Sequence, residues 1–486
     1  MNTNYPVLIV VAPLLTALLS GFFRWSARRL CYPTALMGLG IAFFSALKVL
    51  MQVMKSGTIQ YRLGSWVPPI GIEYRIDLLN AVVLVLVTGI ALLNIVASFQ
   101  SINQEMGEKK DSFYTIYLLF VTGLTGVTVT GDLFNLYVLL EITSLTSYAQ
   151  IAMGDKDRAP LASLNYVFLG VIGASFYLLG VGYLYIMTGS LNMLDVASLL
   201  PAIQNSTAVL VAFIFCFLGI WIKMALFPLH VWLPNAYSYA PTAVSRIIAP
   251  LMTKVMVYVM IRLMVTVFGF DYIFKQLHLA HAVVWLATIA ILAGAVMAIA
   301  QKDLKKMLTY VIVCEIGYMV GGAWLGNKLG MTGAILHIIN DALMTFAVFL
   351  AVGNIIYKLK NTGFDNLKGL FGKMPWTMAG FVLAGFSIIG IPPTCGFFSK
   401  WYLILGAIEK GAYHFAGALI ISSLLCAVLF FRIFEISFFY SGHDKIKMAE
   451  APVSMLIPLG IMSILLIAAG FYSGTIVNNI ILPFLQ

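Results

Sequence analysis

The sequence predicts an all-α polytopic membrane protein with about fourteen transmembrane helices. Of its 486 residues, 61% are hydrophobic and only 10% are charged, whereas a soluble domain is about 25% charged. Its mean hydropathy is +0.97. Apolar runs of about 20 residues, the length that crosses a bilayer, follow one another along the whole chain. No link between them is long enough for a soluble domain.

Fourteen runs satisfy this length rule, and we predict a transmembrane helix for each. The link Gly131-Asp132 separates the fourth run from the fifth very tightly. The first run lacks a preceding basic segment and a small-residue cleavage site, so we expect a retained helix rather than a signal peptide. The predicted spans are 5–23, 33–54, 76–98, 113–130, 132–153, 162–187, 207–228, 241–268, 280–300, 307–326, 331–357, 375–399, 413–440 and 454–474.

The basic residues between the spans predict the orientation in the membrane. Sixteen of them lie in odd-numbered links and six in even-numbered links. Because cytoplasmic links of membrane proteins are enriched in Lys and Arg, we expect a multi-pass protein of the cell (inner) membrane with both termini outside. The net charge of +10 then reflects these links, and nucleic-acid binding is not expected. The odd-numbered links carry Arg24, Arg28, Arg29, Lys109, Lys110, Lys156, Arg158, Lys302, Lys305, Lys306, Lys358, Lys360, Lys368, Lys373, Lys445 and Lys447, and the even-numbered links carry Lys55, Arg62, Arg75, Lys275, Lys328 and Lys410.

Two of the predicted spans are interrupted by proline. Pro228 and Pro234 bracket His230 at the end of the seventh span, and Pro392-Pro393 interrupt the twelfth. Proline removes a backbone donor and blocks the preceding helical turn, and broken helices at membrane depth line polar cavities or lie buried in protein. The breaks are five spans apart, which predicts two inverted five-helix repeats, spans 4–8 and 9–13.

This spacing also predicts the organisation of the chain. We expect three N-terminal helices in residues 1–110, a first five-helix repeat in 111–268, a second in 280–440, and a C-terminal helix in 454–486.

Charged residues inside the spans are the candidate functional groups, since a charge at the bilayer centre costs at least about 2.5–3.5 kcal/mol. Glu141 in the fifth span shares one helical face with Tyr137, Ser144 and Tyr148. Lys223 lies about five residues before the first break. Burial lowers the pKa of a lysine, and a nearby carboxylate raises it again. A Glu141–Lys223 pair could therefore be switched between charged and neutral forms, and we predict that the two residues form such a pair in a proton relay. The alternatives are a structural carboxylate and a lysine that extends toward the membrane surface.

The second half supplies further candidates. Lys254 lies deep in the eighth span and is predicted to belong to the relay. Glu315 is a weaker candidate in the tenth span. His337 and Asp341 are one turn apart in the eleventh and can hydrogen-bond each other, and histidine titrates near neutral pH; a purely structural bond is the alternative. Lys400 follows the double-proline break and could close the route to the outside.

Several other charged residues have simpler interpretations. Arg246 and Arg262, which share a helical stripe with Lys254, could face the two membrane surfaces. His230 beside the first break either relays protons or caps carbonyls that the break frees. The segment 302–306 is predicted to be a solvated turn. Lys306 is nearest the following helix, so it is the one residue of this turn that is a candidate for the relay.

The sequence predicts neither a cofactor nor a metal site. Its five cysteines are isolated and lie mostly in apolar runs, and no CxxC pair or Cys/His cluster is present. GxGxxG and Walker loops are also lacking. We therefore expect no redox chemistry in this chain.

Three stretches carry a resemblance to a known family. Residues 219–245 (GIWIKMALFPLHVWLPNAYSYAPTAVS) resemble the signature of the antiporter-like subunits of respiratory complex I and of Mrp-type cation/proton antiporters. Residues 298–319 (AIAQKDLKKMLTYVIVCEIGYM) and 390–401 (GIPPTCGFFSKW) are similar to two further family stretches. The resemblance covers roughly residues 110–405.

This resemblance implies a specific fold and set of proton carriers. It implies fourteen helices with two inverted five-helix repeats and broken helices seven and twelve. It also implies that Glu141, Lys223, Lys254 and Lys400 carry protons. The chain departs from the largest family members at Asp341, where they have a second histidine, and at Thr345, where a lysine can occur. Its length resembles the shorter Mrp D or complex I M/N type.

The leading functional hypothesis is a proton-translocating membrane subunit of an Mrp-type or complex I-like assembly that contacts other membrane subunits and lipid. Sodium could be moved as well as protons. One alternative is a self-sufficient Na⁺/H⁺ antiporter. Another is a subunit of a redox-driven NADH-quinone or hydrogenase complex. A quinone-binding oxidoreductase subunit is a further alternative that no residue cluster supports.

Overall fold

The computed structural model describes residues 4–440 and 450–485, which are almost entirely helical; Lys445 and Lys447, used above to predict orientation, lie outside them. Short π-helical turns follow α10, precede α11 and follow α19. The elements are α1 (Tyr5–Ser26), α2 (Cys31–Ser56), β1 (Ile59–Arg62), β2 (Glu73–Ile76), α3 (Leu78–Glu105), α4 (Lys110–Val129), α5 (Leu133–Ala152), α6 (Ala159–Thr188), α7 (Met193–Ile203), α8 (Thr207–Met224), α9 (Leu233–Tyr239), α10 (Thr242–Arg262), α11 (Ala280–Ile299), α12 (Leu304–Trp324), α13 (Lys328–Leu359), α14 (Leu370–Lys373), α15 (Pro375–Ile389), α16 (Cys395–Glu409), α17 (Tyr413–Phe439), α18 (Val453–Phe471), α19 (Ser473–Ile476) and α20 (Leu482–Phe484).

The predicted class is confirmed: within the described residues, twelve helices are long and apolar enough to cross a membrane. Each of the fourteen predicted spans overlaps a helix. The twelfth overlaps two helices, α15 and α16, and the seventh overlaps α8, which the first break separates from the short helix α9. Neither α15 nor α16, at 15 residues each, reaches the usual spanning length alone. The count of fourteen crossings therefore stays a prediction.

Several boundaries differ from the predicted ones. The seventh span ends at Met224 rather than at 228, and the twelfth continues to Glu409 rather than stopping at 399. The third begins at Leu78 because the Asp77 side chain caps it, accepting hydrogen bonds from the backbone of Leu79 and Asn80. Such caps satisfy donors that the first helical turn leaves free.

A hairpin and the short helix α7 are among the elements that were not predicted. An antiparallel hairpin pairs β1 with β2, with Tyr61 opposite Tyr74. The short helix α7 buries Met193, Val196 and Leu200 on one side. Both are too short to register as apolar runs, so the length rule could not reveal them.

Burial increases toward the middle of the helix bundle. The most apolar stretch of α13 is wholly buried, and those of α10 and α12 are nearly so, whereas fewer than half of the residues in those of α1, α6, α17 and α18 are buried. The exposed faces of the outer helices are apolar, as lipid contact requires. The three central helices carry most of the charged side chains described below.

The links meet at two opposite ends of the bundle. One end, here called the basic end, is defined by the links that contain Lys109, Lys156 and Lys302. Lys156 and Asp303 line one cavity there together with Glu105, at the end of α3. The opposite end holds the hairpin, where Asn192 donates to the Glu73 carboxylate at 2.9 Å.

The helices α5 and α12 begin in the same way. Each starts after an aspartate whose side chain caps the third helical residue, and that aspartate forms an isolated β-bridge with the link that follows the next long helix. The two starts lie at opposite ends of the bundle, as an inverted repeat requires. This likeness favours the predicted repeats. The equivalent backbone bonds are Leu133 N to Leu191 O (2.8 Å) with Met193 N to Gly131 O (2.9 Å), and Leu304 N to Thr362 O (2.9 Å) with Phe364 N to Lys302 O (3.0 Å).

Candidate functional site

A buried ion pair joins α5 to the end of α8. The ammonium of Lys223 lies 3.0 Å from the Glu141 carboxylate and donates to Ser144 Oγ at 2.6 Å. Lys223 is 1% exposed, whereas the Glu141 side chain is 22% exposed. The structure thus brings together the two residues that the sequence predicted to pair, with Glu141 nearer the outer surface of the bundle.

The first helix break lies directly beside Lys223. Ala225, with a φ of 62°, ends α8, and Pro228 lies in the non-helical stretch before α9. The Trp232 indole donates to the carbonyl of Ile222 at 3.1 Å and so satisfies one acceptor that the break frees. His230 is buried and stacks on Phe227. Its Nδ1 atom has no partner among the described residues, and its role stays a prediction.

A second buried ion pair lies between α10 and α13. The ammonium of Lys254 is 2.9 Å from the Asp341 carboxylate, and both side chains are at most 2% exposed. Thr345 lies between them, 3.4 Å from the ammonium, and its hydroxyl donates to the carboxylate at 2.7 Å. The expected hydrogen bond between His337 and Asp341 is therefore wrong: Asp341 turns to the buried lysine, which requires a counter-ion.

His337 instead bonds to the neighbouring helices. Its Nε2 atom lies 2.5 Å from the Glu315 carboxylate of α12, and its Nδ1 atom lies 2.8 Å from Ser399 Oγ of α16. Glu315, only a weaker candidate from the sequence, is thus in direct contact with the histidine. Ligand-type atoms of Glu315, His337 and Asp341 all lie within 4.8 Å of one another. The Lys254–Asp341 and Glu315–His337 pairs therefore form one continuous polar group. Glu315, His337 and Asp341 could together hold a metal ion, which the sequence did not predict.

Lys400 on α16 is held by the second helix break. α15 ends at Gly390, with a φ of 91°, and Pro392 and Pro393 lie in the non-helical stretch before α16. The ammonium donates to the freed carbonyl of Ile388 at 2.6 Å and to Ser423 Oγ at 3.2 Å. It also lies 4.9 Å from the centre of the Tyr318 ring. In the described part of the chain no carboxylate lies within ion-pair distance of Lys400.

The charged turn before α12 differs from its prediction. Lys305, not Lys306, is the buried member. It is 3% exposed and donates to the carbonyl of Ala240 at 2.5 Å. Lys306 is only partly buried, and its backbone donates to the capping carboxylate of Asp303. Adjacent helical residues point about 100° apart, so nearness to the helix could not reveal which lysine faces inward.

Neither arginine of α10 faces a membrane surface freely, contrary to expectation. Arg246 is fully buried and donates to Asn354 Oδ1 at 2.9 Å and to the carbonyl of Leu350 at 3.1 Å. Arg262 forms a bidentate pair with Asp77, at 2.6 and 3.0 Å. Buried arginines need such partners because an unpaired charge is costly away from water. Both therefore tie α10 to its neighbours.

Sequence reasoning missed Ser399, Tyr318 and Lys305. Each lies within the predicted helical segments or their links, but nothing in the neighbouring sequence indicates that its side chain contacts or lies near the buried charges. Ser399 immediately precedes Lys400, and that adjacency is the one signal that could have drawn attention to it. Their contacts depend on the rotation of α12 and α16, which hydropathy does not reveal.

The chain is similar to known membrane proteins over nearly its whole length. The family described as "NADH:quinone oxidoreductase/Mrp antiporter, TM" matches residues 130–426. The NADH-quinone oxidoreductase subunit N of Desulforudis audaxviator is 40% identical, over 99% of this chain and 98% of that protein. The D subunit of the Na(+)/H(+) antiporter of Alkalihalophilus pseudofirmus is 30% identical, over 95% of this chain and 94% of that protein.

A solved structure shows the same fold. A chain of the membrane-bound sulfane sulfur reductase, an archaeal respiratory membrane complex, superposes with a TM-score of 0.91 and 28% identity, covering 98% of this chain and 96% of that one. The fold and the sequence matches agree with one another. The chain belongs to the NADH:quinone oxidoreductase/Mrp antiporter transmembrane family.

Proposed function

We propose that this chain is a proton-translocating subunit of a multisubunit membrane complex and that its buried acids and bases form the relay. The observation that carries the proposal is a row of pairs on adjacent helices in which every side chain except the partly exposed Glu141 is buried: Glu141–Lys223, Lys254–Asp341 and Glu315–His337. Such charges are expensive inside a membrane and mark ion pathways there. Lys400 stands at the end of the row.

Each ion pair can act as a protonation switch. Removed from its carboxylate, a desolvated lysine favours the neutral form and releases its proton; returned to the carboxylate, it favours the charged form. Lys223 and Lys400 both lie beside helix breaks, where backbone carbonyls offer alternative acceptors. A change in one pair then alters the field felt by the next pair, because charges interact strongly where water is scarce.

The relatives support assembly with other subunits. Their names describe the N subunit of an oxidoreductase and the D subunit of an antiporter, and the superposed chain is part of a respiratory complex. We propose that this chain likewise assembles with other membrane subunits in the cell membrane. The basic end would face the cytoplasm and both termini the outside, and residues 111–268 and 280–440 would form the two repeats.

The test is the variant Lys223→Ala in membrane vesicles that contain the assembled complex. We expect at least a tenfold loss of proton translocation with normal assembly, because Glu141 loses its proton-exchanging partner. Lys302→Ala, which removes an exposed lysine, is the matched control and should translocate normally. Wild-type translocation by the Lys223 variant would refute the relay.

The name of the Alkalihalophilus relative favours a second candidate, exchange of Na⁺ for H⁺. Proteoliposomes that contain the purified chain alone separate the two hypotheses. Sodium-dependent proton movement by the isolated chain would establish a self-sufficient antiporter. If the isolated chain shows no sodium-dependent proton movement but the whole complex translocates protons, the chain acts only as a subunit of its complex.

A further inference from the structure

A cavity of about 440 Å³ lies where α11 and α17 begin, at the end of the bundle that holds the hairpin. The link after α10 contributes His278 to its wall, and the link between α16 and α17 contributes Lys410. The last residue of α10, Arg262, pairs with Asp77 beside the hairpin, which places the link after α10 at that end. None of the residues of the proposed relay lines this cavity.

Three of the six histidines of the chain line this cavity. The indole Nε1 atom of Trp285 donates to Nε2 of His281 at 3.1 Å, so Nδ1 is the donor of that neutral ring. Trp285 also stacks on His414, with ring centres 4.0 Å apart, and the centres of the two histidine rings are 6.0 Å apart. Trp285 thus holds both histidines at the cavity wall.

Two nitrogen atoms of residues that line this cavity lack a hydrogen-bond partner among the described residues. One is Nε1 of Trp324, and the other is Nε2 of His414. Trp324 is only 1% exposed, and an indole nitrogen can donate a hydrogen bond but cannot accept one. Because a buried donor without an acceptor is costly, Trp324 indicates a ligand that supplies acceptor atoms.

The charges around the cavity also favour an anion. Lys410 supplies a positive charge, and in the described part of the chain no carboxylate lines the cavity. The neighbouring Glu409 accepts a hydrogen bond from Asn327 at 2.9 Å. Both α11 and α17 begin here without a side-chain cap, and the free N–H groups of a helix start favour negative charge. The cavity therefore suits an anion better than a metal cation.

The two helices that begin at the cavity have exposed apolar faces. Beyond the cavity, α11 exposes Ile289 and Val296. α17 packs against α11 and exposes Leu424 and Val428. Trp285 at the cavity wall is 45% exposed, and tryptophan is enriched at the level of the lipid headgroups. The cavity thus lies where a phospholipid whose acyl chains follow these helices would place its phosphate group.

From these observations we propose that the cavity binds the phosphate group of a membrane phospholipid, whose acyl chains lie along the exposed faces of α11 and α17. Trp324 and Lys410 donate to the phosphate oxygens, and the three histidines contribute further donors. The bound lipid ties the link after α10 to the starts of α11 and α17. No covalent step is involved. The proposal is independent of the proposed function, because none of these residues belongs to the relay.

The test measures lipid binding to the assembled complex after detergent has removed its native lipid. Phosphatidylglycerol is the probe, diacylglycerol is the matched lipid without a phosphate, and inorganic phosphate is the matched anion without acyl chains. Native mass spectrometry counts the bound lipid, and thermal unfolding measures its effect on stability. We expect phosphatidylglycerol to bind and to raise the melting temperature, and we expect neither of the other two probes to do so at equal concentration.

Substitutions assign the binding to this cavity. The double variant with Lys410→Ala and His281→Gln should bind phosphatidylglycerol at this site at least tenfold more weakly. Trp324→Phe keeps an aromatic ring and removes the indole N–H, so it should weaken binding severalfold. Lys275→Ala is the matched control, because it removes an exposed lysine that does not line the cavity, and it should bind the lipid as wild type does.

Several results would overturn the proposal. Wild-type lipid affinity in the double variant would show that the cavity is not the site, and equal binding of diacylglycerol would show that the phosphate is not recognised. Equal stabilisation by inorganic phosphate would show that the anion is not a lipid. Binding of Zn²⁺ that His281→Gln abolishes, without any effect of lipid, would show a metal site instead. If Trp324→Phe fails to assemble, the double variant decides, because Lys410 and His281 are exposed.

Discussion

At the residue scale, the buried charges are neutralised in different ways. Lys223 and Lys254 each face a carboxylate, at 3.0 and 2.9 Å. Lys400 has only carbonyl, hydroxyl and aromatic partners in the described residues. Carbonyl dipoles stabilise an ammonium less than a full negative charge does, so the charge of Lys400 is the least compensated of the three.

We expect that apolar residues can replace the Lys254–Asp341 pair without a large loss of stability, but that proton translocation requires the pair. Asp341→Leu alone leaves a buried lysine without its counter-ion and should destabilise the protein by about 3–5 kcal/mol. Adding Lys254→Met should restore most of that loss, because two apolar side chains pack without a desolvation penalty. Thermal unfolding of the purified complex and proton translocation are the two measurements. A double variant that translocates protons would contradict the role of this pair.

The substitution Lys400→Arg should distinguish the contribution of the positive charge at this position from the contribution of proton exchange. Arginine keeps the positive charge and can still donate to the carbonyl of Ile388, but it does not lose a proton at physiological pH. We therefore expect assembly and stability near wild type and at least a tenfold loss of translocation. If Lys400 only anchored the second break, the arginine variant would translocate normally.

At the element scale, polar side chains hold the helices in register. Arg246 bonds to α13 through Asn354 and Leu350, while Arg262 bonds to Asp77 at the start of α3. These contacts fix both ends of α10 and thereby the depth and rotation of Lys254. An arginine at each end of α10 thus positions Lys254, a residue of the proposed relay, between them.

The Asp77–Arg262 contact predicts a dependence of stability on pH. Burial would raise the pKa of the Asp77 carboxyl, but the charge and hydrogen bonds of Arg262 outweigh burial and hold that pKa below its ordinary value of 3.8. Because the folded state lowers this pKa, the stabilisation is complete above pH 4 and is lost as the pH falls through the folded-state pKa.

Asp77→Asn should remove this dependence. Asparagine can still cap α3 but carries no charge, so the variant should be less stable than wild type at pH 7, and the difference should narrow below pH 4. Thermal unfolding in detergent between pH 3 and pH 7 measures this. A constant difference across that range would show that the charge pair does not contribute.

At the scale of the whole molecule, the three most buried helices carry four residues of the proposed relay. α10, α12 and α13 contribute Lys254, Glu315, His337 and Asp341, whereas lipid-exposed helices surround them. One helix break, between α8 and α9 or between α15 and α16, lies in each of the two proposed repeats.

Orientation can be tested with single cysteines. The native cysteines that the structure describes are all buried, so an impermeant thiol reagent should give a low background. We expect Asp157→Cys, at the basic end, to react only from the cytoplasmic side, and Trp66→Cys, beside the hairpin, only from the outside. The reverse pattern would show that the predicted topology is inverted.

The class of protein, the approximate helices, both breaks and the charged residues inside the predicted spans could be predicted from the amino-acid sequence. Apolar run length and proline are local properties, so they can be read without knowing what packs where. The pairing of Glu141 with Lys223 was also predictable, because each is the conspicuous charge in its span.

Which acid pairs with which base could not be predicted, because the pairing depends on how the helices pack. Asp341 turned out to face Lys254 rather than His337, Glu315 became the partner of His337, and Lys305 rather than Lys306 was buried. These choices depend on how each helix is rotated and how deeply it sits against its neighbours. In a helix that is apolar all round, no amphipathic pattern reports that rotation.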